Sequence, residues 1–341
     1  MNINLQKIIL RKFLGIDKEV VRIFYQELRK EVIIGDPYLN SQEQARLQLH
    51  HEVMMNAKKY PPTLAATIYV HRRSLAVQAI LATRDAIVFD AGCGYGSESF
   101  LFAGFGAKVL AVDISPEQLC IAEKRKRYFE NEVFKKNLDV TFRVADLNEY
   151  WPETHGISLT WIASVLAALP DQEDFLKRVY AGTREGGRVV VTDMNLRNPW
   201  FLLKEWRRRQ WARLESPEFA RQADFWRMVQ RRGRSGARFF PLRSQGRFDD
   251  VQFFTAGSLK ALLRQIGFRV AQTGFSGFVP PQVYVPLLTP LEGFMARVPM
   301  VKNLGYFYIV TGIKDAVNEV APLKVHDCFK KTTRWSQEPC L

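Results

Sequence analysis

Three glycines at every second position, Gly92, Gly94 and Gly96, follow an apolar run that ends in an acid, Asp85-Ala-Ile-Val-Phe-Asp90. Glycines so spaced let the backbone turn sharply and bring the main chain close to a ligand without intervening side chains. The run before them reads as a short buried parallel strand, which puts the turn at the strand's C-terminal edge, where open α/β sheets bind their ligands. Two later runs are built the same way: Lys108-Val-Leu-Ala-Val112 leads into Asp113, and Val140-Thr-Phe-Arg-Val-Ala145 into Asp146. Between residues 85 and 195 strand and helix signals alternate five times, which specifies a parallel sheet with crossover helices.

The three acids select the ligand. Asp113 lies 21 residues after Gly92, the offset at which a carboxylate accepts hydrogen bonds from ribose hydroxyls. Asp146 is placed to receive the amino group of an adenine. A nicotinamide or flavin dinucleotide also fits a glycine turn with a distal acid, but position 97, where its third glycine would fall, is Ser97. Asp90 weighs more heavily. A carboxylate two residues before the first glycine would repel a doubly anionic pyrophosphate by about 1 kcal/mol even with good screening, and would favour a cationic ammonium or sulfonium. The charge pattern points to a cationic nucleoside.

Over residues 85–195 the chain resembles the class I S-adenosylmethionine-dependent methyltransferases. Asp90-Ala-Gly-Cys-Gly-Tyr-Gly96 is similar to that family's first motif, Ala111-Val-Asp113-Ile-Ser115 to its ribose-binding segment, and Ala145-Asp146-Leu147 to its adenine-binding one. Ser158-Leu-Thr-Trp-Ile-Ala-Ser164 resembles the fourth strand, and Arg184-Glu-Gly-Gly-Arg-Val-Val-Val-Thr-Asp193 the turn and fifth strand. The resemblance implies a Rossmann-like α/β fold with a seven-stranded, mostly parallel sheet whose last strand is antiparallel. It implies S-adenosyl-L-methionine as cofactor, with Asp90, Ala91, Gly92, Gly94 and Gly96 at its methionine end. Asp113 and Ile114 would then lie at the ribose, Asp146 and Leu147 at the adenine, and Ala163 at the end of the fourth strand beside them. Val165-Leu-Ala-Ala-Leu-Pro-Asp171 follows that strand in the manner of the family's small-molecule branch. The implied activity is methyl transfer to a small or lipid-like acceptor, on oxygen or carbon. An RNA methyltransferase and a non-catalytic S-adenosylmethionine-binding protein are the alternatives.

Around this block, residues 1–82 read as a helical extension, with Val20, Val21, Phe24 and Leu28 at helical spacing behind Asp17 as N-cap, and a second helix from Ser41 to about Ala57. Leu64 to Leu81 reads as helical again. The methyltransferase domain spans 83–314 and contains an insertion at 196–255, expected to be helical; residues 315–341 read as a mobile tail. Of the net charge of +14, the insertion carries a large share, since residues 195–250 hold fourteen basic residues against six acids. Its segment Trp200 to Leu214 sets Trp200, Leu203, Trp206, Trp211 and Leu214 on one helical arc, with Arg208, Arg209 and Arg213 elsewhere. That pattern suits either a cap helix packed on the sheet or a membrane surface or amphiphilic substrate. Nucleic acid is the weaker reading: the fourth strand ends in Ala163-Ser164-Val165, without the Asn/Asp-Pro-Pro-aromatic tetrad of enzymes that methylate base amino groups.

No apolar stretch reaches the roughly 18 residues needed to span a bilayer, and the N-terminus lacks a signal-peptide pattern. Cys93, Cys120, Cys328 and Cys340 show neither metal-ligand nor disulfide spacing. A cytoplasmic protein, peripheral at a membrane through 196–255, is therefore the expectation, with no metal site and the oligomeric state open. No catalytic base is named. Ala167-Ala168 occupy the stretch where many relatives carry a histidine, and His50, His51 and His71 of the N-terminal helices are the ones able to approach the pocket.

Overall fold

A computed structural model describes residues 16–55, 80, 85–153, 156–195, 197–199, 238–244, 247–278, 294–295, 298 and 301–315. Its centre is a seven-stranded sheet in the order β3-β2-β1-β4-β5-β9-β8. The strands are β1 (Ile87–Ala91), β2 (Lys108–Asp113), β3 (Val140–Val144), β4 (Ile157–Ala163) and β5 (Thr183–Met194), followed after a separate hairpin by β8 (Arg269–Ser276) and β9 (Phe307–Ile313). β1 to β5 pair in parallel, while β9 runs antiparallel between β5 and β8. The antiparallel final strand matches the expected architecture.

The central strands are buried on both faces, so they read as unbroken apolar runs rather than as alternating ones. Alternation survives in where the side chains go. Val88 and Trp161 join one core with Phe24, Leu28, Phe100 and Phe129, whereas Phe89, Ala91 and Ile162 join the opposite core with Phe175, Leu176, Leu259 and Phe268. The first face is covered by α1 (Ile16–Ile34), α3 (Ser97–Gly104) and α4 (Pro116–Tyr128), the second by α5 (Gln172–Gly182) and α6 (Ala256–Ile266). Local chemistry sets the helix starts. Ser115 accepts from the Gln118 N–H with Pro116 in the first turn, Asp171 accepts from the Asp174 N–H, and Thr255 and Ser258 form a reciprocal capping box.

α1 begins at Ile16, so Asp17 lies inside its first turn rather than capping it. An acid there is still favoured by the helix dipole, which is why the residue type misplaced the boundary by two positions. α2 (Ser41–Met55) is capped by Asn40 and Glu43, which exchange side-chain to backbone hydrogen bonds. Gln44 and Gln48 donate to the carbonyls of Glu31 and Val32 at the end of α1, and so tie the two helices into a hairpin. Of the expected helix at 64–81 only Ile80 is described.

Within the 196–255 insertion, the described residues include a two-stranded antiparallel ribbon of β6 (Arg238–Ser244) and β7 (Arg247–Phe253), while residues 200–237, where helix is expected, lie outside the described residues. The tryptophan-bearing segment 200–214 and the tail 316–341 lie outside the described residues. At the C-terminal end of β5, buried Asn195 and Asn198 donate to the carbonyls of Asn303, Gly305 and Leu304, and the Asn195 N–H to Tyr306 O, clasping the exit of β5 to the entry of β9. No helix among the described residues is long and apolar enough to cross a membrane.

Candidate functional site

The chain moves outward from β1 through β2 to β3 and then crosses back to β4 on the other side of β1. This reversal creates the crevice at which open α/β sheets bind ligands, at the carboxyl ends of the strands. Asp90, the glycine turn, Asp113, Asp146 and Ala163 all fall at that edge.

The turn is built by its glycines. Gly92, Gly94 and Gly96 have φ of +74°, +53° and +76°, values that cost other residues about 1–2 kcal/mol each. Space also demands them at two positions. A Cβ on Gly92 would stand 2.2 Å from Val165 Cγ2, and one on Gly96 would stand 2.9 Å from Phe142 Cζ. The N–H groups of Gly92 and Cys93 both donate to Val112 O at the end of β2, which fixes the turn against the neighbouring strand.

Each acid occupies a distinct setting. Asp90 is 2% exposed, and its Oδ2 accepts from Ser99 Oγ of α3 at 2.5 Å. Asp113 accepts the Gly94 N–H on Oδ2 at 2.8 Å and the Ser115 N–H on Oδ1 at 2.9 Å. It therefore links the glycine turn to the cap of α4, and each carboxylate oxygen keeps a second lone-pair direction for another donor. Beside it Ile114 is 66% exposed, an apolar surface next to a carboxylate at the mouth of the crevice. Asp146 receives both the backbone and the side-chain N–H of Asn148 on Oδ1, and the next residue, Leu147, is buried. Ala163 ends β4, and the following Ser164 takes φ of +59° while donating its N–H to Thr192 O. That left-handed, non-glycine residue is a strained backbone position at the crevice edge.

Two arginines anchor the loops from behind, and the sequence reading identified neither. Arg125 of α4 is fully buried; its Nη1 donates to Tyr95 O, within the glycine turn, and to Ser97 Oγ, while Nε and Nη2 bind the carboxylate of Glu31 in α1. Arg178 of α5 donates to the carbonyls of Leu147, Asn148 and Tyr150, gripping the loop that carries Asp146. Both were obscured by the charged helices that carry them.

Of the histidines considered as bases, His50 is described in detail: its ring packs on Tyr95 at 4.6 Å between centroids. Burial, with Arg125 nearby, lowers its pKa to about 4, so the imidazole is uncharged at neutral pH. The side chain of His51, and the whole of His71, lie outside the described residues. Burial pushes the Cys93 thiol well above the usual thiol range, so that it serves as a small apolar filler of the turn. Among the described residues no cluster of His, Cys, Asp or Glu could hold a metal ion.

Residues 82–231 match a family model described as a methyltransferase domain. Among curated proteins, a tRNA dimethylallyltransferase of Leptospira interrogans is 23% identical over 36% of this chain and 41% of its own length. A demethylmenaquinone methyltransferase of Tropheryma whipplei is 27% identical over 37% of this chain and 48% of its own. A ubiquinone biosynthesis O-methyltransferase of Xanthomonas axonopodis is 26% identical over 35% and 47%. The chain thus spans less than half the length of these curated relatives. A putative S-adenosylmethionine-dependent methyltransferase structure from Listeria monocytogenes aligns with a TM-score of 0.46 at 14% identity, over 73% of this chain and all of that one. The family match spans β1 to β5 and the switch point between β1 and β4, so residues 82–231 are similar to a methyltransferase domain over the part of the chain that carries the glycine turn and the three acids.

Proposed function

We propose that this chain binds S-adenosylmethionine at the carboxyl edge of β1 to β4 and catalyses transfer of its methyl group to a small or lipid-like acceptor. The observation that carries the reading is the joining of two features of this edge through one residue. Asp113, which we assign to the ribose, also accepts the Gly94 N–H of the glycine turn at 2.8 Å. The residues present fit the cofactor: three left-handed glycines leave the turn bare, and exposed Ile114 offers an apolar face beside the Asp113 carboxylate.

Bound there, the cofactor supplies an electrophilic methyl carbon on a sulfonium. Asp90 lends negative potential to the cationic end through its orientation by Ser99. Asp113 holds the ribose, Asp146 and Leu147 the adenine, and Ala163 closes the crevice from β4. The chain contributes mainly alignment, and holding two reactants in attack geometry can supply about 7–11 kcal/mol of the barrier. The N-terminal helix hairpin serves as a cap over this half of the site.

A quinone-type acceptor is the reading that the Tropheryma and Xanthomonas relatives favour. The positive charge of residues 195–250 and the Leptospira relative favour RNA as the second reading. Calorimetry with S-adenosylmethionine tests the donor. Asp113→Ala should weaken it at least about tenfold, the loss of one charge-assisted hydrogen bond, and an unchanged affinity would refute the ribose assignment. Transfer of radiolabelled methyl to demethylmenaquinone and to tRNA in parallel tests the acceptor; label on tRNA alone would overturn the small-molecule reading.

A further inference from the structure

The N-terminal helix hairpin reaches the glycine turn through a buried ion pair. Glu31 and Arg125 lie 94 residues apart in sequence, and both side chains are fully shielded from solvent. They meet fork to fork, Nε to Oε1 at 2.6 Å and Nη2 to Oε2 at 2.7 Å. The remaining guanidinium nitrogen, Nη1, holds Tyr95 O and Ser97 Oγ, and the rings of Phe100 and Phe129 lie 5.5 and 5.6 Å from its carbon. Every nitrogen of this guanidinium is engaged, and one of them holds the Tyr95 carbonyl, between Gly94 and Gly96 of the glycine turn.

The turn is therefore fixed from two sides. Asp113 draws the Gly94 N–H toward β2, and Arg125 draws the Tyr95 carbonyl, one residue further on, toward α4. Arg125 can hold this position only while its own orientation is fixed, and the partner that fixes it comes from outside the sheet domain, on α1. α2 adds His50 against the Tyr95 ring. Because Gln44 and Gln48 bind α1 to α2, the hairpin engages the turn as one body.

We propose that Glu31, acting through Arg125, is a positioning residue for the glycine turn, so that docking of the N-terminal hairpin sets the affinity for the adenosyl donor. This rests on the donor site proposed above. The charge balance explains why the pair exists at this position. A lone buried guanidinium would be strongly unfavourable, and a lysine could not present the planar fork that binds one carboxylate and one carbonyl together. A purely structural tie would need no contact with the turn.

The test is calorimetry of S-adenosylmethionine binding to the full chain, paired with hydrogen exchange measured by mass spectrometry. Glu31→Gln keeps the size of the side chain and removes its charge. It should weaken the donor at least tenfold and speed exchange in the peptide covering residues 94–97, while the core strand β4 keeps its protection. The double replacement Glu31→Leu with Arg125→Met removes the pair without leaving a buried charge, so that it stays folded even if the single variant does not. It should show the same loss of affinity. Donor binding within twofold of wild type in a folded double variant would overturn the inference. Failure of the wild-type chain itself to bind the donor would overturn the donor-site reading instead, and the proposal with it.

Discussion

Gly92 offers a quantitative test of how the turn is built. Replacing it with alanine adds one methyl group at φ of +74°, which costs about 1–2 kcal/mol for the left-handed backbone. The same methyl would lie 2.2 Å from Val165 Cγ2, 2.9 Å from Val165 Cβ and 3.2 Å from Cγ1, and an overpacked contact of this kind costs about 1–3 kcal/mol more. Gly92→Ala should therefore lose about 2–5 kcal/mol of stability. Only the second part depends on Val165. Val165→Ala removes both Cγ atoms and leaves the 2.9 Å contact with Cβ, so in that background the glycine replacement should cost about 1–3 kcal/mol. Urea unfolding of wild type, both single variants and the double variant closes the cycle, with an expected coupling of at least about 1 kcal/mol. Costs that add within about 0.5 kcal/mol, the usual spread for independent sites, would refute the steric argument and leave backbone conformation as the sole demand for glycine at this position.

Two further predictions concern buried groups. Burial, reinforced by the neighbouring Glu31 carboxylate, raises the Asp36 pKa to about 6, so the folded chain keeps a proton that the unfolded chain releases from about pH 4 upward. Stability from this group is present at low pH and is lost as pH rises to about 6. His50, lowered to about 4 by burial, acts in the opposite sense, with stability present above about 6.5 and lost as pH falls toward 4. Asp36→Asn should therefore steepen acid destabilisation between pH 6 and 4, His50→Gln should reduce it, and melting curves at half-unit steps check both; parallel profiles for all three proteins would contradict the assignment. Arg178→Met removes three hydrogen bonds to the Leu147–Tyr150 carbonyls. It should weaken binding of S-adenosylhomocysteine about three- to tenfold if the loop carrying Asp146 holds the adenine as proposed, and equal affinity by calorimetry would show that the loop holds itself.

What could be read from the chain was what local backbone geometry dictates. The glycine turn and the strand-end acids each announce themselves within a few residues, because sterics and hydrogen bonding act there over short spans. The Glu31–Arg125 pair could not be read this way. Arg125 sits in Glu123-Lys-Arg-Lys-Arg127, a run that looks like a solvated face, and helical periodicity turns this one member into the core. Its partner is fixed only by tertiary packing of α1. The ribbon β6–β7 was hidden for a related reason: Arg247-Phe-Asp-Asp-Val-Gln-Phe253 breaks two-residue alternation at Asp249-Asp250, so the arginine content dominated the reading. The cap at Asp17 was two positions off because an acid suits both a cap and a first turn.

The asparagine clasp at the end of β5 separates two design problems within one chain. Asn195 and Asn198 pin the strand's exit to the start of β9, so a segment that leaves the sheet there starts from a fixed stem. A longer or shorter excursion from such a stem changes closure entropy only logarithmically, by about 0.6 kcal/mol for each doubling of length. The half of the sheet bearing β1 to β3 would scarcely register the change. Variation in what this scaffold accepts can therefore accumulate at one margin, while the machinery at the other margin stays constant.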